Sequence, residues 1–542
     1  MNTFRQQQTH IMIKHLRAHI VVAGLIVPAL LLAACGSSNT APSGLRVELP
    51  QAYRLQPDTF ATMMEKRVGR IAIMNEDGNV VVMDQTGGDV VPITRDAQAG
   101  TNTAAPSGAA VKPQSDLTTL YNMPVWSPDG RSLALVEITS KRPVVSATIE
   151  LSPESVVIQR GPGSAVVERT EQGQQIQPVP PGTVVERHPD MVIIQRGRNT
   201  GDLVSSALYI AQADGKQPLK ELYLSNNEEI PYLDWSPDGS TISFLTRNVK
   251  DELYAINLVD SSGASKPNAL LTGTSLFWHW HPNGEFLLTK AGSAQSNGGD
   301  QLALLDPKTN ATTPIGPENT PMPFLAPSFS PDGKYMALTE LQGNEYHLML
   351  ADSQGKIIKS LSKFNGTISF AWASIGSKLA YVVRQSPQIP GGALRVVDAT
   401  SGEDKLLTQS PVLAFFWSPD GTHIATFTSA AMNEIDPNFA GYNFVPPGAS
   451  TILLLQTINI STKATRQLFY FEPTQAFRRL ASEFDRYSRA VTIWSPDSRK
   501  LVFTLSYGND TNSQDYVLES ESSGSLAPRI LANGALAFWS PK

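Results

Sequence analysis

The chain has 542 residues, enough for several domains, and a mild formal charge of −6 that argues against a nucleic-acid partner. Its single cysteine, Cys35, excludes an intrachain disulfide framework and any multi-cysteine metal site.

In chain order, the first element is an export signal. Residues 1–34 hold Arg5, Lys14 and Arg17 and no acidic residue. An apolar run from Ile20 to Ala34 follows the basic stretch, short for a membrane-spanning helix and of the right length for a signal-peptide core. It ends Leu32-Ala33-Ala34-Cys35-Gly36, which resembles the bacterial lipobox. That resemblance implies acylation of the Cys35 thiol, cleavage before it and attachment to a membrane through the lipid. Residues 35–67 then read as a tether rich in Gly, Ser, Asn, Thr and Pro at its start.

Residues 68–542 carry a repeat. Trp-Ser-Pro-Asp-Gly stands complete at Trp126–Gly130, Trp235–Gly239 and Trp417–Gly421, and variants begin at Trp280, Phe329, Trp372 and Trp494. A truncated copy, Trp539-Ser540-Pro541, lies near the last residue. Most intervals are close to 45 residues; longer ones before Trp235 and Trp494 mark insertions. In each unit an apolar stretch leads into the motif, and Pro-Asp-Gly makes a tight turn. Three further strands follow, as at Thr241–Leu245, Leu253–Asn257 and Leu270–Thr272. Four antiparallel strands per unit predict an all-β fold, a β-propeller. The motif aromatics are expected to wedge between neighbouring blades. Arg70–Met74, Asn79–Asp84 and Val90–Thr94 supply strands with no motif before them, and Ala535–Lys542 supplies a motif strand with nothing after it. Joining them makes one shared blade and a ring of eight, without open edges.

With strands labelled A to D from the axis outward, the motif turn joins A to B, and the C–D turns lie at the same end. The long irregular segments are B–C or D–A connections: 139–204, 291–299, 385–392, 429–450, 508–514, 95–122 and 471–489. All of them therefore project from one face, where binding is expected. Within 139–204, Val156–Gly161 and Val192–Gly197 are related, as are Val166–Arg169 and Val184–Arg187, so a small extra sheet is expected. Phe477, Leu480, Phe484 and Tyr487 recur at helical spacing. Phe439, Tyr442, Phe444, Phe477 and Phe484 are the candidate partner-binding residues; the competing reading folds them against the rim.

A search for chemistry finds no nucleophile elbow, phosphate loop, dinucleotide fingerprint or zinc helix. His279 and His281 share a strand face, yet no third ligand accompanies them, so neither a metal nor a cofactor is assigned. The Trp-Ser-Pro-Asp-Gly units with their following strands resemble TolB-like propeller repeats over nearly all of residues 68–542. That family includes envelope scaffolds, sensors and propellers that gate peptidases. The resemblance implies the fold; the long connections on one face, the lipobox-like cysteine and the lack of catalytic motifs lead us to expect a non-catalytic scaffold in the cell envelope, facing the periplasm or the exterior, with a protein, peptide or glycan partner. The alternative is a propeller enzyme with a metal or cofactor site in its central channel.

Overall fold

Five of the motif copies close a turn through one repeated set of hydrogen bonds. In the first, Ser127 Oγ donates to Asp129 Oδ1 (2.6 Å) and accepts from Ser132 N (2.9 Å), while Asp129 Oδ1 also accepts from Arg131 N (3.0 Å). Gly130, at φ +70°, adopts a backbone that a side chain disfavours. Ser236/Asp238, Ser330/Asp332, Ser418/Asp420 and Ser495/Asp497 repeat the serine–aspartate bond at 2.6–2.7 Å. At the Trp494 copy Ser498 replaces the glycine and still takes φ +62°.

The computed structural model describes residues 67–98, 117–141, 203–251, 253–292, 300–320, 326–343, 345–384, 391–436, 439–446, 448–508 and 513–542, with strand backbone between 149 and 195. The signal segment, Cys35 and the expected tether lie outside these residues. Residues Glu48–Lys542 form one compact unit. Among the described residues no helix is long and apolar enough to cross a membrane.

The strands fall into antiparallel blades, each named by its motif aromatic. The Trp126 blade is Leu117–Trp126, Ser132–Lys141, Leu203–Gln212 and Lys220–Ser225; the Trp235 blade is Glu228–Trp235, Thr241–Asn248, Tyr254–Asp260 and Asn268–Gly273. The Trp280 blade comprises Ser275–Trp280, Leu287–Gly292, Asp300–Leu305 and Thr312–Thr320, and the Phe329 blade Ser328–Phe329, Tyr335–Gln342, Glu345–Asp352 and Ile357–Phe364. Thr367–Trp372, Lys378–Arg384 and Gly392–Asp398 build the Trp372 blade, and the 14-residue strand Asp404–Trp417 runs from its outer edge to the inner edge of the next. That Trp417 blade continues through His423–Ala430, Ile452–Asn459 and Thr465–Phe471, and Tyr442–Phe444 adds a parallel strand outside it. In the Trp494 blade, Trp494 bridges to Leu501 beside Lys500–Tyr507, Gln514–Glu521 and Arg529–Asn533.

The last blade joins distant parts of the chain as the sequence leads one to expect. Leu536–Trp539 pairs antiparallel with Arg70–Met74, with Ile71 opposite Trp539 and Met74 opposite Leu536, and Val80–Asp84 and Val91–Pro92 complete it.

The motif indoles tie each blade to the one before. Trp126 Nε1 donates to Phe538 O (3.4 Å), Trp235 to Val125 O (3.1 Å), Trp372 to Ser328 O (3.2 Å), Trp417 to Ala371 O (3.0 Å) and Trp494 to Phe416 O (3.0 Å). The acceptor is always the residue preceding the neighbour's motif aromatic. Trp280 makes the same link through a relay: its indole donates to Ser243 Oγ (2.9 Å), which donates to Asp234 O (3.0 Å). Phe329 has no indole, and here the main chain substitutes, Phe329 N donating to His279 Nδ1 (3.1 Å). Between the Trp494 and Trp539 blades, Trp539 N donates to Thr492 O (3.0 Å). The circuit is thus closed by contacts at every blade boundary, and the aromatics are structural, as expected.

The insertion 139–204 is rich in strands. Val156–Ile158, Ala165–Thr170 and Gly173–Pro178 form one three-stranded sheet; Ile149–Leu151, Met191–Gln195 and Val184–His188 form another. The two related sequence pieces therefore each contribute a hairpin.

Candidate functional site at the insertion-bearing face

Short turns occupy one face of the ring. The segments 142–202, 293–299, 385–391, 431–451, 508–513, 93–116 and 472–490 all connect strand ends at the other. One of them, 472–490, reaches across the axis. Its helix α1, Gln475–Ser482, is capped by Thr474, whose Oγ1 accepts from Phe477 N (3.1 Å) and donates to Ala535 O (2.7 Å), so the helix start is bonded to the Trp539 blade. The apolar spacing breaks at Glu483, and a single turn, α2, follows over Phe484–Tyr487.

The aromatics of this segment bury themselves. Phe477 meets Phe427 at 4.9 Å between ring centroids, and Phe484 meets Phe415 at 4.7 Å. Phe477 is 2 % and Phe484 0 % exposed. Phe444, 2 % exposed, stacks with Tyr442, and both lie beside Phe469. Half-buried Phe439 packs edge-on against Tyr470 at 4.7 Å. Burial of Phe444, Phe477 and Phe484 corrects the expectation that these three present a partner surface, while Phe439 and Tyr442 keep part of their surface open. Apolar area covered by the ring's own side chains is withheld from a partner, and these residues fasten two insertions to the blades.

From the end of α2 onward the segment turns polar and meets the opposite side of the ring. Tyr487 packs edge-on against Tyr232 (5.7 Å), and Tyr232 OH donates to Arg486 O (3.4 Å). Arg489 is fixed three ways: Nη2 donates to Ala326 O (2.8 Å), Nη1 to Pro327 O (3.2 Å), and its Cζ lies 5.1 Å from the Phe277 ring centre. Arg384 Nη2 donates to Leu413 O (3.0 Å).

These groups form a polar cluster at the axis. Asp234, His279, Arg384, Asp485 and Arg489 each keep part of their surface open. Desolvation pushes the Asp234 carboxyl up to about 7, against the pull of the Trp235 amide and Arg489. Asp485 is likewise raised by desolvation, opposed by Arg489, Arg486 and Arg384. Desolvation lowers Arg489 from the usual arginine range and, assisted by Arg489, holds His279 well below the usual histidine value. His279 is therefore neutral, and Nδ1, which accepts from Phe329 N, leaves the proton on Nε2. His281 is used otherwise: Nε2 bonds Gly333 O (3.1 Å) and Nδ1 bonds the Asn283 side chain. Among the described residues no group of three His, Cys, Asp or Glu could hold a metal ion.

Sequence reasoning overlooked this cluster. Its signal lies one residue before each motif aromatic: Val125, Asp234, His279, Ser328, Ala371, Phe416, Ile493 and Phe538. Two ionisable residues and one hydroxyl on consecutive blades break an otherwise apolar position.

Sheets of successive antiparallel strands, locked blade to blade and closed by strands from far apart in the sequence, define a β-propeller. No family model matches the chain, and no curated protein does. Among solved structures it is similar to TolB from Acinetobacter baumannii, with 18% identity over 58% of this chain and 80% of that one and a TM-score of 0.33. It is also similar to an oligogalacturonate lyase in complex with manganese, 11% identical over 72% of this chain and 86% of that one, TM-score 0.40. The β-propeller domain of the Trilobed protease from Pyrococcus furiosus is 9% identical over 70% of this chain and 97% of that one, TM-score 0.34.

Proposed function

We propose that this chain is an eight-bladed, non-catalytic propeller of the cell envelope, anchored by a lipid on Cys35, that binds a protein, peptide or glycan partner on its insertion-bearing face. Counting one blade per motif aromatic gives the number. The observation that carries the function is the asymmetry of the two faces. One holds only short turns, while the other holds two added sheets, a fifth strand on the Trp417 blade and the axial helices. A rigid ring presenting such segments limits the ordering cost of binding.

A second reading, a channel-centred enzyme, has the axial cluster of Asp234, His279, Asp485 and Arg489 in its favour. It is weakened by the α2 segment, which packs across the axis against Tyr232, Phe277 and Phe415. His279, with its accepting nitrogen committed to Phe329 N, is also poorly placed as a base.

Deleting Glu154–Arg196 tests the partner-binding face. Ser140 and Leu203 are paired across the flanking strands, so the residues left between them can close as a loop and the Trp126 blade should fold. Pull-down from native membranes should then lose the partner that the full chain retains; an unchanged pull-down would refute this placement. For the anchor, Cys35→Ser should move the protein from the detergent phase to the aqueous phase.

A further inference from the structure

Among the described residues, few buried side-chain polar atoms lack a hydrogen-bond partner, and three of them belong to the axial cluster or adjoin it in the chain: Arg384 Nε, Ser488 Oγ next to Arg489, and Ser328 Oγ next to Pro327, whose carbonyl Arg489 holds. Ser328, 2 % exposed, holds in its blade the position that Asp234 and His279 hold in theirs. Arg384 acts on Asp485 of α2, and Ser488 directly follows that turn. Each of the three is an N–H or O–H donor, and a buried donor calls for an acceptor. The charges agree. Arg486 is paired with Glu483 at 2.9 Å, which leaves Arg384 and Arg489 against the single carboxylate of Asp485 whenever Asp234 is protonated. Arg489 is held in advance by two carbonyls and the Phe277 ring.

We propose that the axial cluster between α2 and the inner strands binds a small oxyanion, a carboxylate or phosphate, with Arg384 and Arg489 as its cationic contacts and Ser328 and Ser488 as neutral donors. The inference is independent of the partner-binding face, because it concerns the axis and not the insertions. Guanidinium groups suit planar or tetrahedral oxyanions, and a desolvated site strengthens each such bond. Asp234 makes the binding pH-dependent. It is faced by Tyr232 on its own strand and by Arg489 beyond α2, with Arg486 and Tyr487 also acting on Tyr232 and His279 beside Arg489. Ionisation of Asp234 as the pH rises through about 7 adds a negative charge to the cluster and opposes the anion.

The test is calorimetric titration of the purified full chain with inorganic phosphate and, separately, succinate at about pH 6 and about pH 8. One-site saturable binding of at least one anion is expected, and succinate, largely a dianion at both values, should bind about tenfold more weakly at the higher pH, whereas phosphate gains charge over the same interval. Arg384→Gln should weaken it about tenfold or more, as should Arg489→Gln if that variant folds. Arg479→Gln, at an exposed position on α1, should leave it unchanged. Binding of phosphate alone or succinate alone identifies the ligand class. No saturable binding of either, or binding that survives Arg384→Gln in a folded variant, would overturn the proposal.

Discussion

Replacing Phe484 with alanine separates two roles for the helical insertion. The ring is 0 % exposed, lies 4.7 Å from Phe415 and 6.4 Å from Phe416, and sits where α2 crosses the axis. Truncating a buried phenylalanine costs roughly 3–5 kcal/mol in lost transfer energy and residual cavity. Each aromatic pair contributes about 0.5–1.5 kcal/mol of that beyond area burial. The segment has further anchors in Thr474, Phe477 and Arg489, so local release can absorb part of the loss before the ring unfolds. Urea unfolding, followed by the fluorescence of the 8 tryptophans, should give a stability loss of roughly 2 kcal/mol or more. Hydrogen exchange should quicken across 475–490. Phe439→Ala, which removes one half-buried contact with Tyr470, should cost only about 1 kcal/mol. If Phe484→Ala changed stability by less than about 0.5 kcal/mol and left exchange in α1 and α2 unaltered, Phe484 would be a solvent-facing residue and its structural role would be refuted.

Trp494→Phe removes an indole that donates to Phe416 O at 3.0 Å, leaving a buried carbonyl without its partner; a destabilisation of about 1–3 kcal/mol is expected by urea unfolding. Trp539→Phe, whose indole has no partner, should cost less than Trp494→Phe in the same assay. The Ser127 hydroxyl, then the Arg131 amide and charge, hold the Asp129 carboxyl below the usual range, and Ser236 with Ser240 does the same for Asp238. Stability from these turns is therefore present above the unfolded value of 3.8 and lost as pH falls through the folded values, so Ser236→Ala should shift acid unfolding to higher pH. Asp234 works in the opposite sense. Its folded value of about 7 exceeds 3.8, so its contribution is greatest below 3.8 and declines as pH rises to about 7. Asp234→Asn should consequently gain stability over wild type at alkaline pH and little at acid pH in paired thermal melts.

The ring was readable because its information is local and repeated. Serine, aspartate and glycine at fixed offsets build a turn, and the spacing of turns sets the strands. Even the blade shared by Arg70–Met74 and Leu536–Trp539 followed from two incomplete units. The helical spacing of Phe477, Leu480 and Phe484 was equally local, but periodicity does not say what an apolar face meets. Here it meets Phe415 and Phe427, so these aromatics are fasteners. The axial cluster was least legible. Arg489 reaches Ala326, more than 160 positions away in the chain, and no motif spans such a distance. The relay from Trp280 through Ser243 is hidden for the same reason: Ser243 is an ordinary strand residue until a neighbouring blade places an indole against it.

Site-specific photo-crosslinking in native membranes tests the partner-binding face most directly. Probes at Lys250 and Met432 sit on B–C connections of the insertion-bearing face, and probes at Arg131 and Lys216 sit on turns of the other. Adducts from the first pair and none from the second are expected, with the captured molecule identified by mass spectrometry. Adducts from Arg131 and Lys216 alone would contradict the assignment of the binding face.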